Sequence, residues 1–314
     1  MNRREGLMCY VLVACTLLAA FIVKAADSRS GSWTIQKSDA HGEVELSLIE
    51  RHAGGNSNHD SNVRISELRG LDLAKPGKQD VHFTIARDAG RFECEGHTKD
   101  GEGTGVFHFF PEPAYAQQMK ELGFADIDAE KQFTMAVMDV SATFAREMRG
   151  EHLDGLDTEQ LVAFRIFNVN AIFVEALRKE GLNIKDSEKL VAFRIHGVTP
   201  EMVRVLHQAG YSPDEDELVA MRIHGATPEF VERLKKDGYD HVDLQELIAF
   251  RIHGVSPEFI EKMQSLGYKH PEPEQLVAMR IHGVTPEFVS NLRSRGMKDL
   301  SIDQLVSLRI HGID

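Results

Sequence analysis

Five histidines stand at one phase of this chain, His196, His224, His253, His282 and His311, each inside the tetrapeptide Arg-Ile-His-Gly. Imidazole is both a metal ligand and a proton carrier near neutral pH, so such a ladder invites a metal or relay reading. Spacing rejects a shared metal. Zinc holds each nitrogen at about 2 Å, whereas equivalent positions on stacked helices lie roughly 8 to 10 Å apart. Each histidine instead falls in the last turn of a helix, where it can bond free carbonyls or set positive charge against the dipole. The arginines of the same motif, Arg194, Arg222, Arg251, Arg280 and Arg309, make a second ladder. Four of them precede Glu201, Glu229, Glu258 and Glu287 by seven residues. A guanidinium so placed can clip two helices across a turn, bond the capping aspartate of an adjacent copy, or form a stripe for an anionic partner.

Other reactive side chains are sparse. His52, His59 and Asp60 could bind a metal, but they sit in a glycine- and asparagine-rich run that reads as a solvated loop, His52 to Asn62. Gly101, Gly103 and Gly105 lack the Gly-Lys-Ser/Thr ending of a phosphate loop and read as a flexible hairpin. Cys94 lies between Glu93 and Glu95, neighbours that discourage a thiolate. There is no Gly-x-Ser-x-Gly elbow and no Ser-x-x-Lys pair. These residues name no catalytic group, metal site or cofactor.

The elements that must position the ladders are repeats. The arginines recur 28, 29, 29 and 29 residues apart, a period that signals a stacked architecture. The fullest copy, Asp243 to Gly267, predicts two short helices. An opening helix starts at Asp243, with Glu246 able to close a capping box, and stops at Gly254. A closing helix starts at Ser256, with proline at its first position and Glu258 facing the dipole, and stops at Gly267. Leu247, Phe250 and Ile252 are expected as the apolar stripe of the first, and Phe259, Ile260, Met263 and Leu266 as that of the second. Helices of about ten residues do not hold alone in water, so stability must come from stacking. The phase extends upstream to Pro113. It predicts seven closing helices starting near 113, 142, 170, 199, 227, 256 and 285, and seven opening helices near 128, 157, 186, 214, 243, 272 and 301. Fourteen such helices over residues 111–314 suit an α-solenoid.

Residues 31–110 have a different texture, with apolar alternation at Val44, Leu46 and Leu48, at Val63 and Ile65, and at Val81, Phe83 and Ile85. In Val106 to Phe110 the odd and even residues face opposite ways. Period two predicts about six strands in a small antiparallel sandwich or curled sheet, making the whole chain α+β. A unit of roughly eighty residues has a thin core, so it should lean on the first repeat helices. Before it, Arg3 and Arg4 lead into an apolar run from Leu7 to Val23, which reads as a signal peptide over residues 1–25. An uncleaved anchor and a lipoprotein box at Leu12 to Cys15 are the other readings of that run. Without residues 1–25 the chain keeps 33 cationic and 48 acidic residues, a net charge of about −15. That balance argues against nucleic acid as a partner. Cys94 would then be the only cysteine left, which suits an exported bacterial envelope protein without disulfides.

The copies LVAFRIHGVTPEMVRVLHQAGY and LIAFRIHGVSPEFIEKMQSLGY resemble the repeat in the C-terminal extracytoplasmic tails of BlaR1/MecR1-like bacterial membrane proteins. The likeness covers roughly Pro111 to Asp314, and Trp33 to Phe110 is similar to the β segment that often precedes those repeats. It implies an envelope module with a sensing or docking surface. The peptidase signature of that family, His-Glu-x-x-His, is absent here along with its several membrane spans, so peptidase activity does not carry over.

Together these features predict an exported, non-enzymatic repeat scaffold of the periplasm or cell envelope that binds a protein partner or itself. It would touch a membrane only through an uncleaved N-terminal segment. The candidate contact residues are the five arginines and the last helix, where Leu305, Leu308 and Ile310 have no closing helix after them. A regulatory or sensory partner of a BlaR1-like protein shares this chemistry. The alternative from another class is a hydrolase or metal-dependent enzyme in the β unit, which would need a deep polar pocket gathering His52, His59 or His108 with carboxylates.

Overall fold

A computed structural model describes residues 29–38, 41–52 and 55–313, with the side chains of 51, 52, 55 and 56 left aside. The expected leader, residues 1–25, lies outside the described residues. The chain divides between Asn168 and Val169 into two compact units. Among the described residues no single helix is long and apolar enough to cross a membrane.

The first unit opens with seven antiparallel strands: β1 (Arg29–Lys37), β2 (Glu43–His52), β3 (Gly55–Arg64), β4 (Leu68–Arg69), β5 (Lys78–Arg87), β6 (Gly90–Lys99) and β7 (Glu102–Pro111). They form one curled sheet in the order β3-β2-β1-β7-β6-β5-β4, so the first and last strands pair at its middle. Alternation places Trp33, Ile35, Val44, Leu46, Leu48, Phe83, Ile85, Phe92, Phe107 and Phe109 in the core, while Val106 and His108 point out. Trp33 is fully buried against the edge of Phe83, and its indole N–H donates to the Glu95 carbonyl at 3.1 Å. A Cβ on Gly105 or Gly96 would come within 2.7 Å of that indole, so the spaced glycines are strand positions that make room for a ring. Only Gly101 belongs to the hairpin turn.

Where a loop is expected over His52 to Asn62, residues 55–62 belong to a strand instead. Residues 55–64 carry no apolar alternation before Val63, yet they pair residue by residue with β2 at the edge of the sheet. An edge strand needs backbone partners on one side only, and polar side chains protect it from pairing further. β3 ends in the strand expected at Val63 and Ile65, with Ile65 itself in a short 3-10 turn, so the two-residue β4 alone raises the expected six strands to seven.

Four helices complete this unit: α1 (Pro113–Glu121), α2 (Ala129–Val137), α3 (Ala142–Gly150) and α4 (Thr158–Ile166). The sheet leans on α2. Phe133 lies 5.8, 6.2 and 5.2 Å from the rings of Phe92, Phe107 and Phe109. Gln132, which is buried, donates to the carbonyls of Ala89 and Glu112 at 2.8 Å each.

The second unit holds ten helices: α5 (Ala171–Lys179), α6 (Ser187–His196), α7 (Pro200–Gln208), α8 (Glu215–His224), α9 (Pro228–Lys236), α10 (Leu244–His253), α11 (Pro257–Ser265), α12 (Pro273–Ile281), α13 (Pro286–Ser294) and α14 (Ile302–Ile310). Opening helices are the even ones and closing helices the odd ones. Each opening helix packs on the next, in the row α6, α8, α10, α12, α14. Closing helices likewise pair as α5 with α7, α7 with α9, and α11 with α13. This is the neighbour-to-neighbour pattern that a stacked repeat produces. Among the described residues all seven opening helices are capped where the phase predicts, at Asp128, Asp157, Asp186, Asp214, Asp243, Glu272 and Ser301. Capping boxes close at Asp243 with Glu246 and at Ser301 with Gln304.

Candidate interaction surface

The arginine ladder is built into the joints between copies. Arg222 Nε donates to the His196 carbonyl at 3.0 Å and Arg280 Nε to that of His253 at 3.4 Å. Each guanidinium thus caps the opening helix of the copy before it. The helix end is left-handed there, with φ of 71°, 75° and 74° at Gly197, Gly225 and Gly254. A Cβ at those glycines would lie 2.9, 3.1 and 2.9 Å from Nη2 of Arg222, Arg251 and Arg280. Glycine therefore serves both the backbone turn and the room needed by the next arginine.

Four of the five guanidinia lie over an aromatic ring of the preceding copy's closing helix. Arg194 stands 4.1 Å from the Phe173 centroid, Arg251 4.9 Å from Phe230, Arg280 5.1 Å from Phe259 and Arg309 4.8 Å from Phe288. At Arg222 the equivalent position is Met202, so that joint keeps the cap without the ring. Cation over ring contributes about 0.5 to 1 kcal/mol at an exposed site and more where water is excluded. The geometry shows a role outside the three expected: these arginines bond the neighbouring copy, but at a helix-end carbonyl and a ring and not through its capping aspartate. The glutamate seven residues on is not the principal partner. Burial lowers the Arg194 guanidinium from its ordinary value.

Closing helices carry a matching set. Lys235 donates to the Ala209 carbonyl at 2.7 Å and lies 5.5 Å from the Tyr211 ring, and Arg293 reaches the Leu266 carbonyl beside Tyr268. The tyrosines that follow these helices reach forward. Tyr211, Tyr239 and Tyr268 donate to the carbonyls of Val242, Pro271 and Leu300 at 2.8, 2.9 and 3.0 Å, each at the far end of the next copy, just before the opening helix after next. Burial pushes the Tyr239 hydroxyl up to about 12. Side chains of both opening and closing helices thus tie neighbouring copies together.

The histidine ladder faces out. His224, His253, His282 and His311 are exposed and His196 is half-buried. His311 Nδ1 lies 2.7 Å from the Ser307 carbonyl, the last-turn contact expected of it. Among the described residues no group of three His, Cys, Asp or Glu is placed to hold a metal ion.

Ile252 is the main correction to the expected helix faces. Leu247 and Phe250 are fully buried, but Ile252 is 53 % exposed. Two residues span about 200° of a helix, so Phe250 and Ile252 cannot share a face. The same isoleucine of the motif is exposed in every copy: Ile195 54 %, Ile223 55 %, Ile281 55 % and Ile310 59 %. This row is what the reading of the sequence missed, and the two-residue offset from the core phenylalanine is the signal that could have found it. In the last helix, Leu305 is 1 % exposed and belongs to the core, Leu308 is half-buried, and only Ile310 stands in solvent.

The first unit has a charged cleft of about 660 Å³ lined by Glu43, His59, Asp60, Arg64, Glu67, Arg87, Asp139 and Arg165 among others. Its charges alternate. Arg64 Nε lies 2.7 Å from Glu67, Arg87 bonds the other Glu67 oxygen and lies 3.5 Å from Asp139, and Arg165 lies 2.8 Å from Asp139. Burial tends to raise the Glu67 carboxyl, but the hydrogen bonds from Arg64 and Arg87 outweigh it and hold the group below its ordinary value. His59 packs edge-on to Phe133 at 5.8 Å. His108 is exposed on β7 and is not part of the lining, and the side chain of His52 lies outside the described residues. Cys94 is fully buried, and burial pushes its thiol up to about 12, so it offers no thiolate. That cause differs from the one expected, since Glu93 and Glu95 point to the opposite face of the strand.

No family model matches the sequence and no curated protein matches it.

Proposed function

We propose that this chain is an exported, non-enzymatic repeat scaffold that mediates protein–protein interaction in the bacterial cell envelope. The observation that carries this reading is the isoleucine row. It recurs in every copy while taking no part in the core, the caps or the joints. An exposed apolar side chain repeated at one phase costs solubility and returns no stability, which fits a contact surface. The joints support the same reading, because copies held by caps, rings and tyrosine hydroxyls keep a fixed spacing between their outer side chains. The likeness of the repeat to BlaR1/MecR1-like tails is consistent with a place beside a membrane sensor of that kind.

The test is affinity capture from envelope extract with the full chain, followed by cross-linking. One polypeptide retained in fixed proportion, cross-linked to two or more repeats, is expected. Retention of nothing, or cross-links confined to the sheet, overturns the reading. The charged cleft favours a second reading, a hydrolytic site in the first unit, with His59 as its base. Turnover of an ester or amide substrate by the full chain, lost in His59→Ala, would establish it. Against it, the two carboxylates at the centre of the cleft are already engaged by arginines.

A further inference from the structure

The exposed row belongs to a wider face with a built-in polarity. In α10 the side that looks into solvent runs from Gln245 through the half-buried Ala249 to Ile252 and His253. The other opening helices of this unit repeat the order. Their first turns show Glu188, Asp216, Glu274 and Asp303, all exposed, at the phase of Gln245. Half-buried valines and alanines such as Val219, Ala220, Val277 and Ala278 follow, then the isoleucines and the histidines. Since the opening helices pack side by side, the surface is a band: one edge is acidic at Glu188, Glu274 and Asp303, with Asp216 paired to Lys189 and Gln245 neutral between them, the middle is apolar, and histidine and arginine line the other edge. Helices apolar on both sides are ordinarily covered on both sides.

We infer that this band is the interface with a second copy of the chain, related by a two-fold axis that runs along the row of opening helices. The inference rests on the scaffold reading and names its first partner. Such an axis lays each opening helix across its own equivalent in the opposite direction. Acidic first turns then face the basic edge of the other copy, and small residues such as Ala249 meet at the centre, where backbones must approach. An axis parallel to the helices would instead set acid against acid. The surface is therefore complementary to itself in one orientation, as an isologous dimer requires. Its size is sufficient. Helices of about ten residues are about 15 Å long and pack about 9 Å apart, so five present roughly 700 Å² per copy. Stable interfaces use about 800 Å² per partner. An anionic membrane is a poorer occupant, because the acidic edge would face its headgroups.

Sedimentation velocity of the full chain from about 1 to about 100 µM brackets a micromolar dimer. A dimer is expected. The triple variant Ile223→Lys/Ile252→Lys/Ile281→Lys should raise the dissociation constant at least about a hundredfold while leaving helix content unchanged, since all three sites are half-exposed. The orientation is tested by charge reversal at exposed positions that do not touch the core. Glu274→Lys should weaken the dimer about tenfold, and adding His282→Glu in the same chain should restore it. A wild-type chain that stays monomeric, an oligomer that the triple variant leaves intact, or a charge reversal that the second change does not rescue would each overturn the inference. A monomer that still captures its envelope polypeptide would leave the scaffold reading standing, and a dimer that captures nothing would do the opposite.

Discussion

Opening and closing helices of the repeat are alike in length and in the grammar of their ends, and they differ in what they turn toward water. The outer side of α9 carries Glu232, Arg233 and Lys236, all exposed, over a buried stripe of Phe230, Val231 and Leu234. That is a surface helix with one apolar stripe. The outer side of α10 carries Ala249 and Ile252 behind a buried stripe of Leu247, Ile248 and Phe250. One stack thus presents a solvated flank and an apolar one. Folding requires only one apolar side per helix, so the second is available for association.

The contrast is broken most severely at the buried stripe. Leu247→Ala or Phe250→Ala should destabilise the protein by about 3 to 5 kcal/mol, whereas Ile252→Ala should change stability by no more than about 0.5 kcal/mol. Urea unfolding followed by circular dichroism reads the difference directly. Equal losses at positions 250 and 252 would mean that the isoleucine row is core.

The joints come next. Arg280→Ala removes the cap on the preceding opening helix and the cover on Phe259, and should cost about 1 to 2 kcal/mol. Arg280→Lys should recover only part of that, because an ammonium lacks the planar fork that bonds a carbonyl while lying over a ring. Gly254→Ala attacks the same joint from the other side, through a left-handed φ of 74° and a Cβ only 2.9 Å from Arg280 Nη2. It should cost at least about 1 kcal/mol. Tyr239→Phe deletes only the hydroxyl that bonds Pro271, and about 1 kcal/mol is expected.

The smallest effect lies in the sheet unit and depends on pH. Glu67 has an ordinary value of 4.5 and is held below it when folded. Its pairing with Arg64 and Arg87 therefore contributes stability above that value, and the contribution is lost as pH falls through the depressed one. Glu67→Gln should flatten the acid limb of the stability curve, and an unchanged limb would show that the pair is screened by solvent.

Local signals carried much of the repeat. Aspartate or serine before an apolar run, proline after threonine, and glycine at a constant distance placed all fourteen helix starts, because capping chemistry acts over three or four residues. The same locality hid β3, whose polar residues make sense only once β2 offers its backbone. It also left the arginines with three candidate roles, since the carbonyl and ring that they meet lie in the copy before.

The sequence by itself determined that this chain has an alternating region and a 29-residue helical repeat, along with the ends and phases of its helices, because those follow from backbone geometry within one turn or one strand. Only the tertiary structure decided which flank of each repeat is spent on stacking and which is left to water. That division arises where copies meet: Phe250 is shut in by its neighbours while Ile252, two residues on, keeps about half of its surface in solvent.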